Sequence, residues 1–275
     1  MSPESIHKEN DMFGIFGKRS GKAVQSTRPE PTYEMSDGPA AEHHRRRKDS
    51  PSAGYVTTTP EGTPMRDIES LITVDDPAWP HLQKALAESD AVVLPVDPER
   101  GRHSLWGLQV TAASPMGAVA LHTGGIVADH GWVRLYGGGS EDLPSITEAN
   151  GLSGPVSAPP GALVVGHDVL GGLFAIDGGA LGIAPGEVCY FGPDTLTWDG
   201  LGGGYSAFLA AMLGGGLEVV FEGLRWPGWQ DEVAQLALSQ GIALYPPPST
   251  VEGSDVSKAS RSVVSIRELL GTESR

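Results

Sequence analysis

Between residue 65 and the C-terminus, the groups able to do chemistry are His81, His103, His122, His130, His167, Cys189 and the carboxylate pairs Asp75/Asp76 and Asp194/Asp199. A metal centre needs several His, Cys or carboxylate ligands converging on one point. The chain has a single cysteine, so it can form neither an internal disulfide nor a Cys-based zinc site. The nucleophile-elbow pattern G-x-S-x-G is absent. Ser153 lies in GLSGP and Ser206 in GYSAF, and neither fits it. Cys189, inside EVCYF, reads as a small core residue on a strand and not as a reactive thiolate. Asp194 follows a proline and Asp199 precedes a glycine, which suits turn residues as well as an acid/base pair. Gly202–Ala207 matches G-x-G-x-x-A and opens a helix, but the preceding TLTWDGL is not a buried parallel strand and no βαβ unit surrounds it. The residues alone therefore assign no catalytic residue, metal ligand or cofactor.

The aromatic side chains carry a second kind of signal. Trp198, Asp199, Arg225, Trp226 and Trp229 fall in turn-like segments, and RWPGW sets two indoles beside an arginine and a Pro-Gly turn. Trp, Tyr and Arg are enriched where partners bind, so these five are candidate partner-binding residues. Core anchoring is the competing account of the tryptophans.

The elements that must position these groups follow from pattern. Ile68, Leu71 and Ile72 have helical spacing. Asp76 with Pro77 predicts a capped helix whose stripe is Ala78, Trp79, Leu82, Ala85 and Leu86, and Asp97 with Pro98 predicts another that runs to Leu108. Ala91–Val96 reads as a strand. Residues 117–136 predict a hairpin, with MGAVALHT and IVADHGWVRLY as strands around Gly124-Gly125. That register puts His122 and Asp129 on one face as a hydrogen-bonded pair, and His130 on the other. Residues 151–161 are a loop. Ala162–Val165, Leu173–Ile176 and Val188–Phe191 predict an antiparallel meander. Tyr205–Leu213 predicts a helix stopped by glycines, and Trp229, Val233, Leu236 and Ala237 mark the buried face of a later one. Helices before, within and after a mostly antiparallel sheet give the class α+β.

Charge divides the chain. Residues 1–63 hold 9 of the 19 basic and 9 of the 34 acidic residues, so the rest carries 10 and 25 and the whole net charge of −15. Such a surface repels phosphate backbones, which argues against a nucleic-acid partner and leaves a basic protein possible. No signal peptide or convincing membrane span is visible, and the scarcity of cysteine suits a reducing compartment. A cytoplasmic, soluble protein is expected. Residues 17–64 are too rich in Pro, Ser, Thr, Gly and charge to form a core. The expectation is a disordered leader over 1–64, with Met65 as an alternative start, one globular domain over 65–270 and a disordered tail over 271–275.

Several long motifs carry a resemblance. DDPAWP (75–80), LQVTAASPMGA (108–118), GGIVADHGWVRLYGGG (124–139), GGLFAIDGGALG (171–182), YFGPDTLTWDGLGGGYSAFL (190–209) and RWPGW (225–229) resemble domain of unknown function family 2625. The later half, with its FAIDGG turn and GYSAFL helix, is similar to the wider SUKH superfamily. That likeness implies a SUKH-like fold and a protein-binding role of immunity type, directed at toxin-like proteins. It supplies no catalytic residues. The rival expectations are an enzyme working through His122, Asp129 or Asp194, and a small-ligand binder using the glycine-rich turns.

Overall fold

The computed structural model describes residues 65–272. The expected leader and most of the expected tail lie outside them. The class is α+β: nine strands and eight α-helices among the described residues, built around a seven-stranded antiparallel sheet.

Two short helices come first, α1 (Ile68–Ile72) and α2 (Trp79–Ala87). Asp76 does not cap α2. The Ala78 N–H is bonded to the Ala112 carbonyl at 2.9 Å, which holds the chain outside the helix until Trp79, with Pro80 in the first turn. Strand β1 (Val92–Leu94) leads into α3 (Pro98–Leu108). Here the expected cap is present: the Asp97 carboxylate accepts from the Glu99 and Arg100 N–H groups, satisfying orphan donors of the first turn.

The expected hairpin is corrected. Pro115–His122 is a helix, α4, capped by the Ser114 hydroxyl on the Gly117 N–H at 3.0 Å, with Pro115 leading it. An apolar run of this length fits a buried helix as well as a strand, and the Ser-Pro start decides between them. Gly124-Gly125 is then a helix-to-strand junction. The true hairpin joins β2 (Gly125–Ala128) to β3 (Val133–Tyr136) through Asp129–Gly131. All three of those turn residues have positive φ: 55°, 55° and 94°. His122 and Asp129 therefore stand at opposite ends of β2 and are not a cross-strand pair.

After α5 (Ile146–Ala149) and the 151–161 loop, the expected meander follows as β4 (Ala162–Asp168), β5 (Leu173–Asp177) and β6 (Val188–Phe191). Strand β7 (Trp198–Gly200) completes the sheet, whose spatial order is the chain order β1 to β7. Helix α6 (Tyr205–Leu213) stops at Gly214 as expected. Helix α7 (Trp229–Val233) is shorter than its pattern implied: Leu236 packs on the core from outside it, and Ala237 is exposed. A ribbon of β8 (Gln240–Tyr245) and β9 (Ser260–Ser265), then α8 (Ile266–Leu269), ends the described chain.

Register divides the sheet into two faces, because successive side chains point to opposite sides. Val133, Leu135, Phe174 and Tyr190 share the face that packs on α6, where Phe174 meets Phe208 at 5.1 Å between ring centres. On the other face one continuous row runs Val92, Val127, Arg134, His167, Leu173, Phe191 and Trp198. The ribbon docks beside that row through the Ile242 N–H on the Val169 carbonyl. No described helix is long and apolar enough to cross a membrane.

Candidate functional site

The groups that could serve an enzyme lie apart. His122, at the end of α4, stacks on Trp79 at 4.8 Å, and burial lowers its pKa. Asp129 is ion-paired with Arg225, and His130 meets the edge of Trp229 at 5.7 Å. Asp129 and His130 share a small cavity of about 180 Å³ that neither His122 nor Asp194 lines. Asp194 lies in the loop after β6; burial raises the pKa of Asp168, and the Asp194 charge adds a smaller push in the same direction. Among the described residues no three of His, Cys, Asp or Glu gather where an ion could sit. Cys189 is buried in β6, and burial, with Glu187 and Asp177 nearby, pushes its thiol up to about 11. It is protonated at neutral pH and a poor nucleophile.

The five aromatic-cluster candidates fall into two places. Arg225, Trp226 and Trp229 belong to one cluster with Trp132 and Phe221. The Arg225 guanidinium lies 4.1 Å from the Trp229 ring centre, 4.8 Å from Phe221 and 4.9 Å from Trp132, while pairing with Asp129. A cation over several ring faces in a dry environment is a favourable arrangement. Trp226 and Trp229 are only 2% and 8% exposed. The Trp226 indole N–H donates to Glu232, and Arg261 lies over its ring. Trp198 and Asp199 sit on the edge strand β7, where Trp198 packs on Phe191 at 5.4 Å and Asp199 pairs with Tyr190 in register.

A further set of polar side chains gathers around His167, of which the sequence marks only the histidine. Arg134 is 1% exposed and donates to the Leu238 and Gln240 carbonyls, 104 and 106 residues away. Burial lowers its pKa to about 10, against the opposing pull of Asp168. Its neighbour in register, His167, shares a hydrogen bond with the Tyr136 hydroxyl at 2.9 Å. Burial, and then the Arg134 charge, bring His167 down to about 3, and its second ring nitrogen has no partner. On the opposite face Asp168 accepts from the Tyr190 hydroxyl at 2.5 Å and from the Leu170 and Gly172 N–H groups. The spacing of Asp168 to Gly171-Gly172 could have marked that turn. Nothing in the local sequence announces the two clasped carbonyls.

A larger concavity than the one beside Asp129 and His130 lies elsewhere. A half-open cleft of about 760 Å³ separates the end of α3 and start of α4 from β4, β5 and the 151–161 loop. Leu108, Met116, Leu152, Val156, Leu163 and Ile176 make its walls. Its polar neighbours are already engaged. Asp177 accepts from the Gly179, Leu181 and Ile183 N–H groups, and these hydrogen bonds lower its pKa. Gln109 and Arg66 hold each other through three hydrogen bonds. Two glycine-rich turns contribute Gly178 and Gly186 to the rim. Volumes of 300–1,000 Å³ with apolar walls are typical of ligand sites.

No solved structure matches the chain. The chain is 39% identical over 184 residues to the uncharacterised protein YbfG of Escherichia coli K12, covering 66% of this chain and 85% of that one. It is 36% identical over 190 residues to an uncharacterised protein of Haemophilus influenzae, covering 66% of this chain and 82% of the relative. Residues 68–269 match the family described as "Protein of unknown function DUF2625", and the chain belongs to that family.

Proposed function

We propose that the domain is a protein-binding module whose receptor site is the apolar cleft between α3, α4, β4 and the 151–161 loop. The observation that supports this reading is the cleft itself: about 760 Å³ between mostly apolar walls, with Arg66 and Gln109 bonded to each other and Asp177 taken up by the N–H groups of its own turn. Such a surface offers little to a charged substrate and much to the apolar side chains of a partner segment. The acidic balance of residues 64–275 suits a basic partner. An immunity-type role, as in SUKH proteins, with a toxin-like protein neutralised by binding, is the specific form we favour. The candidates on β7, Trp198 and Asp199, would lie on a separate edge and serve as a secondary contact.

Capture of the product of a neighbouring toxin-like gene tests the reading. The native chain is expected to retain that product, and Val156→Asp, which puts a charge on the loop wall, to weaken binding at least 10-fold with unchanged circular dichroism. Equal affinity of the two would remove the cleft from the account.

A small-ligand role is the second reading, because Gly178 and Gly186 bring two glycine-rich turns to the same rim. Thermal-shift screening against neutral apolar compounds and nucleotides separates it from the first. A saturable stabilisation by a small molecule, lost in Val156→Asp, would favour it.

A further inference from the structure

We propose that the outer edge of β9 pairs antiparallel with the same edge of a second copy of this chain, with Val263 on the two-fold axis.

Alternation along the ribbon shows which main-chain groups are spare. The Ile242 N–H is spent on the Val169 carbonyl, and the Ile266 N–H donates to the Ser239 carbonyl. The register pairs Gly241 with Val264 and Ile242 with Val263, so the even-numbered residues of β9 carry the bonds to β8. Arg261 and Val263 turn their N–H and C=O groups the other way, and Ser265 its N–H. Among the described residues the main-chain groups of Arg261 and Val263 have no hydrogen-bond partner.

The side chains leave this edge unguarded. Native edge strands are commonly blunted by an outward charge, a proline or a bulge. Strand β9 reads Ser-Arg-Ser-Val-Val-Ser, with no proline, and its register has no shift. Its one charged side chain, Arg261, is turned to Glu232 at 2.9 Å and lies over the Trp226 ring. Val263 stands on the same side of the ribbon as Ile242, its cross-strand partner. Ile242 is 3% exposed, whereas Val263, one strand further out, is 57% exposed. A strand added at this edge extends the ribbon and covers that valine.

Self-complementarity names the occupant. An antiparallel two-fold centred on Val263 sets that residue against its own copy and Arg261 against Ser265 of the copy. The outward groups of the two strands then meet each other, and no like charges stand opposite within the pair. Asp255 and Lys258 precede the strand, and Arg267 and Glu268 follow it. The two-fold lays one end beside the other, so anion and cation are both present on each side of each junction. Residues 255–268 hold three basic and two acidic side chains, so the net negative charge of the chain does not fall on this edge. Six residues are fewer than the roughly 20–30 per side of a standard interface, and dissociation in the micromolar range is expected.

Sedimentation of the full chain from roughly 5 to 500 µM tests this, with a concentration-dependent monomer–dimer equilibrium as the expected result. Val263→Lys, which sets two ammonium groups against each other on the axis, should weaken the dimer at least 10-fold. Val263→Pro should do the same, because it removes an outward N–H and leaves the ladder to β8 intact. The unaltered chain supplies a measurement free of substitutions: hydrogen exchange over residues 261–265 should slow from dilute to concentrated solution, in step with the loss of monomer. A chain that stays monomeric at the highest concentration overturns the proposal, whether the edge is then bare or held by another segment. A dimer equally strong in both variants, or exchange indifferent to concentration, places the contact elsewhere and overturns it as well.

Discussion

His167 is held neutral by its surroundings, and that has a measurable cost in acid. Its ordinary pKa of 6.5 falls to about 3 in the fold, first through burial and then through Arg134. On acidification the unfolded chain takes up the proton first, so the stabilising contribution is present above pH 6.5 and drains away as pH falls towards 3. Between pH 7.5 and 5.0 this residue alone should remove about 2 kcal/mol. Urea titrations across that range are expected to show the slope in the native chain and a flatter profile in His167→Gln. Equal slopes would mean that water or relaxation admits the charge. The sequence names His167 as a histidine of interest but not its state, because that depends on Arg134 and Tyr136 from a neighbouring strand. Arg225 teaches a similar lesson. RWPGW shows an arginine among aromatic residues, whereas the cage around it is completed by Phe221, just upstream, and by Trp132 from a distant part of the chain.

At the scale of elements, legibility followed the strength of local signals. Asp97-Pro98, the 162–191 meander and the glycine stop after Leu213 are read correctly because caps, strand runs and glycine stops are short-range devices. Residues 115–122 were misread because an apolar octet buried by its surroundings has no periodicity to display. The cleft was not legible at all, since its walls come from α3, α4, β4, β5 and a loop that only the fold brings together. The packing of α3 on α4 gives a sharp test. A Cβ on Gly101 would lie 2.4 Å from the Leu121 carbonyl oxygen. Alanine normally favours a helix over glycine by about 1 kcal/mol, but here the clash with backbone should dominate. Gly101→Ala is expected to lower stability by roughly 1–3 kcal/mol, the range for overpacking. A stabilised variant in chemical denaturation would show that the two helices slide apart freely.

For the whole molecule, charge and topology set the terms of association. Residues 64–275 carry 25 acidic and 10 basic side chains, a field that speeds encounter with a basic partner and is screened within about 10 Å at 0.1 M salt. The association rate for such a partner is expected to fall at least 10-fold between 50 and 500 mM NaCl while the dissociation rate changes little. Stopped-flow measurement decides it, and a salt-independent rate would leave the apolar cleft as the sole source of recognition. The Arg134 guanidinium, gripping the carbonyls of residues 238 and 240, has a consequence for biosynthesis. Until those last residues leave the ribosome, a cation in the middle strand lacks its acceptors, and desolvating it alone is prohibitive. A chain truncated before the ribbon is expected to leave that side of the sheet unsealed and to be cut by proteases faster than the full chain; equal resistance of the two would show that Arg134 finds other acceptors.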